Sequence, residues 1–375
     1  MFNVGLALLG ARTLGPTAWG GYWGAFSLAH LLSQATDLGG HLTLARRVAR
    51  APRRGGRWLG VSARVKAGLT VAVGAGWLLL RPGGGPTAGY LLLALLALSW
   101  IEWFGCYLRG FSRVVDESRW LAVDCLAAFV GGGVALTIRQ GPEWLALSQV
   151  AAHGLVLTAF HGYIRRTAPR PPPAGGPPGE SFLLESLPTG LAITVSLVSW
   201  RLGMLWLIRT APAAAAGHYA AAHRLLEAAR FVPAAAAVAL FPEFARRASR
   251  VSPGRALAII VPMAALPLVA ALTPGLLPHV LSLALGPHYG AAAPLLLSFA
   301  LALPLIAVNG ILTSWLVARG RTGVNAALSG VHLTVHAVAL AAWIPANGAP
   351  GAAWALAAAE GAMALGTVAC WIGFK

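Results

Sequence analysis

The chain has 375 residues, of which 57% are hydrophobic and only 10% charged, and its mean hydropathy is +0.70. Soluble domains carry about 25% charged residues, and no aqueous core can bury apolar runs of about twenty residues along a whole chain, so the solvent is lipid. The formal charge of +17 would suggest nucleic acid in a soluble protein; in a membrane chain it fits loops held at an anionic leaflet, and no nucleic-acid partner is expected.

Runs such as Tyr90 followed by LLLALLALSW lack the alternation of a β-barrel strand. The reading is an all-α polytopic protein with about twelve membrane segments. The first, 2–14, is short, because about ten residues of helix reach about 15 Å where a bilayer core needs roughly 30 Å. Five more follow at 19–38, 65–80, 90–108, 120–138 and 144–163. The stretch 165–182, containing RRTAPRPPPAGGPPGES, is Pro/Gly-rich and reads as a semi-rigid linker. Beyond it come 187–208, 219–241, 256–272, 292–316, 326–343 and 351–372, with a short apolar piece at 276–285 that is expected to pack at the outer surface. The domain reading is a six-helix lobe at 1–164, the linker, and a second lobe at 183–375.

Alternate connections are basic: 21 Arg and Lys residues fall on one side of the membrane and four on the other. The loaded side is expected to be cytoplasmic, which puts both termini on the cytoplasmic face. Laid on itself with an offset of 197, the chain matches Arg12-Thr13 to Arg209-Thr210, Gly20 to Gly217, Tyr22 to Tyr219, Ala25 to Ala222 and Leu28 to Leu225. Both stretches mark the turn between the first and second segments of a six-segment half, as in transporters built from parallel repeats. The repeat places the start of the first helix about ten residues before Met1, so that helix is expected to be cut short.

Several stretches, in order along nearly the whole chain, resemble one family. They are ARTLGPTAWGGY, TDLGGHLTLARRVAR, AGHYAAAHRLLEAARFVPAAAAVALFPEFAR, LGPHYGAAAPLLLSFA, ARGRTGVNAALS and IPANGAPGAAWALAAAE. They are similar to Wzx-type polysaccharide flippases of the multidrug/oligosaccharidyl-lipid/polysaccharide exporter superfamily. The resemblance implies two pseudo-symmetric six-helix lobes around a central cavity. It also implies a polyprenyl-pyrophosphate-linked oligosaccharide as substrate, moved from the inner to the outer leaflet for surface polysaccharide synthesis. A polysaccharide polymerase or glycosyltransferases would then be partners. An ion-coupled multidrug or small-metabolite exporter of the same fold, and a non-transporting scaffold of a glycan-synthesis complex, remain alternatives.

Charges inside spans are costly and usually functional. Arg201, Arg224 and Arg230 lie in spans seven and eight, and their planar paired donors suit a pyrophosphate. Glu227, three residues from both Arg224 and Arg230, is a structural partner that cannot neutralise both. Arg12 is a candidate for the cavity rim or an arginine reaching the outer headgroups. Glu102, Asp124 and Glu360 are candidates for ion coupling, each with an interhelical hydrogen bond or ion pair as the competing role. Asp37, near the inner end of the second segment, reads as a residue that caps or turns the chain there.

His332 and His336 are one turn apart without a visible acidic partner and read as packing or cavity-lining residues. Gly131 to Gly133 should allow close helix packing, and Pro262, Pro267 and Pro304 are plausible bend points. Cys106, Cys125 and Cys370 show no disulfide or metal spacing. No Walker A motif, catalytic triad or large loop is visible. The expectation is a transporter rather than an enzyme, with no cofactor and no metal.

Overall fold

A computed structural model describes residues 4–80, 85–167, 179–245, 252–272 and 276–374. Most of the expected linker, with Arg170, lies outside the described residues, as do Arg81, Arg246, Arg247, Arg250 and Lys375. Among the described residues the regular elements are all helical, and six helices are long and apolar enough to cross a bilayer by length and composition. The chain forms two compact units, one of residues 1–6 and 24–197, the other of residues 7–23 and 198–375. These borders differ from the lobes read off the sequence, because helices α1 and α7 each run across a unit border.

The first unit holds part of α1 (Val4–Ala35), then α2 (Gly40–Arg50), α3 (Gly55–Leu80), α4 (Gly85–Gly110), α5 (Val114–Ile138), α6 (Pro142–Thr167) and the start of α7 (Gly179–Thr210). The helix α4 is its axis, packing against α2, α5 and α6. It is apolar around its circumference, and Leu91, Leu95, Ile101, Trp103 and Tyr107 are all buried, as expected of a helix surrounded by others. Gly132 in α5 admits Leu6 so closely that a Cβ there would meet the leucine Cδ1 at 2.5 Å, which is the close packing the glycine run suggests.

Residues 40–50, expected to be basic loop, form the amphipathic helix α2. Leu44 and Val48, one turn apart, are fully buried beside Ile101 and Tyr107. The opposite face offers Arg46 and Arg47 to Glu185 of α7, with Arg46 Nη2 donating to Oε1 at 2.6 Å and Arg47 Nε donating to Oε2 at 2.7 Å. High charge hid the helix from a hydropathy reading, although its apolar residues keep helical spacing.

The second unit holds the middle of α1, the rest of α7, α8 (Ala213–Ala229), α9 (Phe231–Ala245), α10 (Pro253–Leu272), α11 (Leu276–Leu285), α12 (Ala293–Ala318) and α13 (Thr322–Gly373). Here α12 is the axis, against α8, α9, α10 and α13. The short α11 and the 3-10 turn Pro287–Ala292 pack on the first arm of α1. Tyr289 donates its hydroxyl to the Ala11 carbonyl at 2.9 Å, and Arg12 Nη1 donates to the Leu283 carbonyl at 3.3 Å.

Two breaks divide long helices into the expected segments, and a third splits an expected segment. Gly15 (φ 72°, ψ 170°) divides α1, and Gly348 (φ 56°, ψ −131°) divides the 52-residue α13. Both conformations are open to glycine and strained for other residues. The span expected at 219–241 is interrupted at Arg230, between α8 and α9. Pro233 explains this: it lacks an N–H, and its ring crowds the carbonyl four residues earlier, at Ala229. The repeat also holds at the first break. Gly15 plus the offset of 197 is Pro212, which lies between α7 and α8.

Candidate functional site

Among the described residues, three buried polar clusters gather most of the candidate side chains. The first, in the second unit, joins α7 and α8. The Glu227 carboxylate accepts from Trp200 Nε1 at 2.8 Å and from Arg201 Nη1 at 3.4 Å, forms an ion pair with Arg224, and lies 3.6 Å from His223 Nδ1. The Arg224 guanidinium is stacked 3.7 Å from the centroid of Trp23, and that of Arg230 4.1 Å from the centroid of Trp200. Trp19, Tyr22 and Trp23 stack on one another beside it.

Arg201 and Arg224 are buried, while Arg230 is partly exposed. Two guanidiniums therefore pair with one carboxylate, a third lies beside them on the Trp200 ring, and the aromatic faces hold Arg224 and Arg230 without neutralising them. Such a cluster can receive an anion with several oxygens. The spacing of Arg224, Glu227 and Arg230 at the end of α8 made their proximity legible. The aromatic walls were not singled out, although Trp200 adjoins Arg201 in sequence.

Arg12 is elsewhere in the same unit, exposed and bound to the Leu283 carbonyl. It shares no contact with the arginine cluster among the described residues.

The second cluster lies in the first unit. Lys66 was counted among the basic connections, but it is 1% exposed. Its Nζ donates to Ser99 Oγ at 2.7 Å, lies 3.7 Å from Asp37 Oδ1, and sits 5.0 Å and 5.5 Å from the ring centroids of Trp103 and Trp100. Asp37 also pairs with His41, one helical turn on. It lies in the turn between α1 and α2, as expected, and its side chain is an ion-pair partner rather than a cap. Glu102 is within electrostatic reach of Asp37, His41 and Lys66. One carboxylate, one ammonium and one imidazole thus share an aromatic-walled site, with Glu102 within electrostatic reach. The sequence signal missed was the position of Lys66 eleven residues into α3, too deep for a loop.

The third cluster is in the second unit. Asn309 Nδ2 donates to Glu360 Oε2 at 2.7 Å and to the Glu360 carbonyl at 3.0 Å. His332 Nε2 is 3.3 Å from Glu360 Oε1, and Ser199 Oγ is 2.8 Å from His332 Nδ1 and 3.3 Å from His336 Nδ1. The expectation that the histidines lack an acidic partner is corrected: the fold of α13 back on itself at Gly348 supplies Glu360. Among the described residues no group of three or more His, Cys, Asp or Glu is arranged to hold a metal. Asp124, the remaining acidic candidate, has a simpler setting, with Oδ1 2.8 Å from His153 Nδ1 across α5 and α6.

No family model matches the chain, and no curated protein does. Solved structures do. One is a multidrug resistance MATE family transporter of the MOP superfamily in an inward-facing conformation. It is 14% identical, with a TM-score of 0.74 over 99% of this chain and 92% of that one. The lipid II flippase MurJ, in an inward closed conformation, is 11% identical, with a TM-score of 0.79 over 97% of this chain and 84% of that one. A MOP superfamily transporter from Pyrococcus furiosus, whose structure is described by the reverse polarity of its binding pocket, is 14% identical, with a TM-score of 0.62 over 98% and 88%. The chain has the fold of these transporters. The all-α, twelve-segment architecture is therefore a MATE and MurJ architecture, and the helix breaks and buried polar clusters are features of this sequence on that frame.

Proposed function

We propose that the protein is a Wzx-type flippase. It carries a polyprenyl-pyrophosphate-linked oligosaccharide from the inner to the outer leaflet of a bacterial cytoplasmic membrane by alternating access. The observation that carries this reading is the pairing of Arg201 and Arg224 with the one Glu227, with Arg230 stacked beside them on Trp200. A surplus of guanidinium charge among tryptophans suits a pyrophosphate with a sugar attached and repels a cationic drug. Arg230 meets the headgroup first, since it is the least covered of the three. Arg12, on its exposed site, attracts the same headgroup at the rim. The two lobes, 1–164 and 183–375, work as the moving halves, with both termini on the cytoplasmic face. A polymerase or glycosyltransferases of the same glycan are the partners this function calls for.

The test is reconstitution of purified protein in liposomes with a fluorescent polyprenyl-pyrophosphate oligosaccharide. Faster exposure of the sugar on the far leaflet is the expected result. Movement of a cationic dye in its place would favour a multidrug exporter, and movement of neither would leave a scaffold.

The exporter reading has one observation in its favour, the acidic site of Asp37 and Glu102 beside Lys66. In the flippase reading this site, or the Glu360 network, couples an ion to transport. Asp124 belongs to the same proposal, although its histidine partner gives it a structural role as well. Glu102→Gln and Glu360→Gln are each expected to abolish export in a complementation strain while the protein still accumulates. Full export by both variants would remove ion coupling at these carboxylates.

A further inference from the structure

The first unit has a lateral feature that neither the arginine cluster nor the acidic site uses. The helix α3 is the least covered of the long apolar helices, with only 6% of its most apolar window buried. Between α3, α4 and α6 lies a groove of about 760 Å³, within the roughly 300–1,000 Å³ of small-molecule sites. Its walls are apolar, from Leu59 and Ala63 of α3, Phe104 of α4 and Leu157 of α6. The one hydroxyl on the wall, of Thr158, donates to the Gly154 carbonyl of its own helix. Water has too few partners to occupy such a groove, and a void there would forfeit dispersion contacts along its whole length.

The groove is charged in one respect. Arg64, His161 and Arg165 line it, and all three are exposed. Among the described residues neither arginine makes a hydrogen bond or ion pair. Arg165 is in the last turn of α6, at the end where the basic connections gather. An apolar trough with two uncommitted guanidiniums beside it is complementary to one class of ligand.

We propose that this groove is a binding site for an anionic glycerophospholipid. One acyl chain lies along Leu59, Ala63, Phe104 and Leu157, and the headgroup phosphate is held by Arg64 and Arg165. The ligand is a resident lipid of the leaflet rather than the transported molecule, because the groove belongs to the helix most open to the bilayer. The inference rests on the membrane-spanning fold alone and stands whether or not the flippase reading does.

Native mass spectrometry of the purified full chain, after incubation in detergent with phosphatidylglycerol or phosphatidylcholine, tests it. The wild type should retain phosphatidylglycerol over phosphatidylcholine by about tenfold or more, as two arginines near a lipid phosphate imply. Arg64→Ala with Arg165→Ala should remove that preference, phosphatidylglycerol retention falling about tenfold and phosphatidylcholine retention falling much less, since its choline already offsets the phosphate. Gly60→Trp should lose both lipids, because a side chain there meets nothing within 4 Å and projects into the groove without disturbing a neighbour. Arg119→Ala, on the exposed surface of α5, should behave as wild type. Equal retention of the two lipids by the wild type would overturn the proposal, as would a preference that survives the double arginine change. Displacement of bound phosphatidylglycerol by equimolar polyprenyl phosphate would overturn the choice of a resident phospholipid.

Discussion

Gly20→Ala and Gly217→Ala are each expected to destabilise the purified protein strongly, while Gly21→Ala is neutral or stabilising. The cause is backbone contact between α1 and α8. A Cβ on Gly217 would meet the Pro16 carbonyl oxygen at 1.8 Å, and one on Gly20 would meet the Ala213 oxygen at 2.2 Å and the Gly217 nitrogen at 2.8 Å. No rotamer relieves such a clash, since the obstacle is main chain. The two helices must separate, at a cost at or above about 3 kcal/mol, the upper end for overpacked interiors. Gly21 is exposed, and a Cβ there meets nothing within 4 Å. Alanine at that position gains up to about 1 kcal/mol of helix propensity. Thermal unfolding of the three variants in one detergent decides the matter. Similar melting temperatures for Gly20→Ala and Gly21→Ala would show that α1 and α8 do not approach as described.

The second large effect separates folding from transport within the arginine cluster. Glu227→Gln leaves Arg201 and Arg224 buried beside a neutral amide. Removing one side of a buried ion pair costs about 3–5 kcal/mol, so this variant is expected to accumulate poorly and to melt early. Arg230→Ala loses a partly exposed cation stacked on Trp200 and should fold normally. If Arg230 meets the pyrophosphate, its export should nevertheless fall by tenfold or more, the scale of a charge-assisted contact of about 1.5 kcal/mol or above. Arg230→Lys keeps the charge but not the planar pair of donors, and should recover part of the activity. Normal surface glycan with both Arg201→Ala and Arg230→Ala would end the assignment of this cluster to the substrate.

The class of fold was legible in the sequence because hydropathy is a property of whole segments. Apolar runs of bilayer length predict spans regardless of how they pack. Helix ends were less legible. Gly15 and Gly348 break helices between segments the sequence had separated, but Arg230 breaks one within an apolar stretch, where composition hardly changes. The amphipathic α2 was hidden by its arginines, and Lys66 by the basic connection that precedes it.

The candidate site divides along the same line. Arg224, Glu227 and Arg230 are local in sequence, so their association could be read from helical spacing. Glu360 with His332 and Asn309, or Lys66 with Asp37 and Ser99, are meetings of distant segments. Nothing in a single sequence measures those distances.

Gly20 and Gly217 are the same position of the internal repeat, and they touch. A position in contact with its own counterpart is what an isologous interface produces in a pair of identical subunits. In a forerunner made of two separate half-length chains, one glycine codon would have served both sides of this contact. Any substitution would then have struck the junction twice. Joining the halves into one chain frees the two glycines to change independently, yet each still bars the other from gaining a side chain. The contact thus ties the two glycines of the repeat to each other, while Gly15 and Pro212 break the chain at matching positions by opposite means.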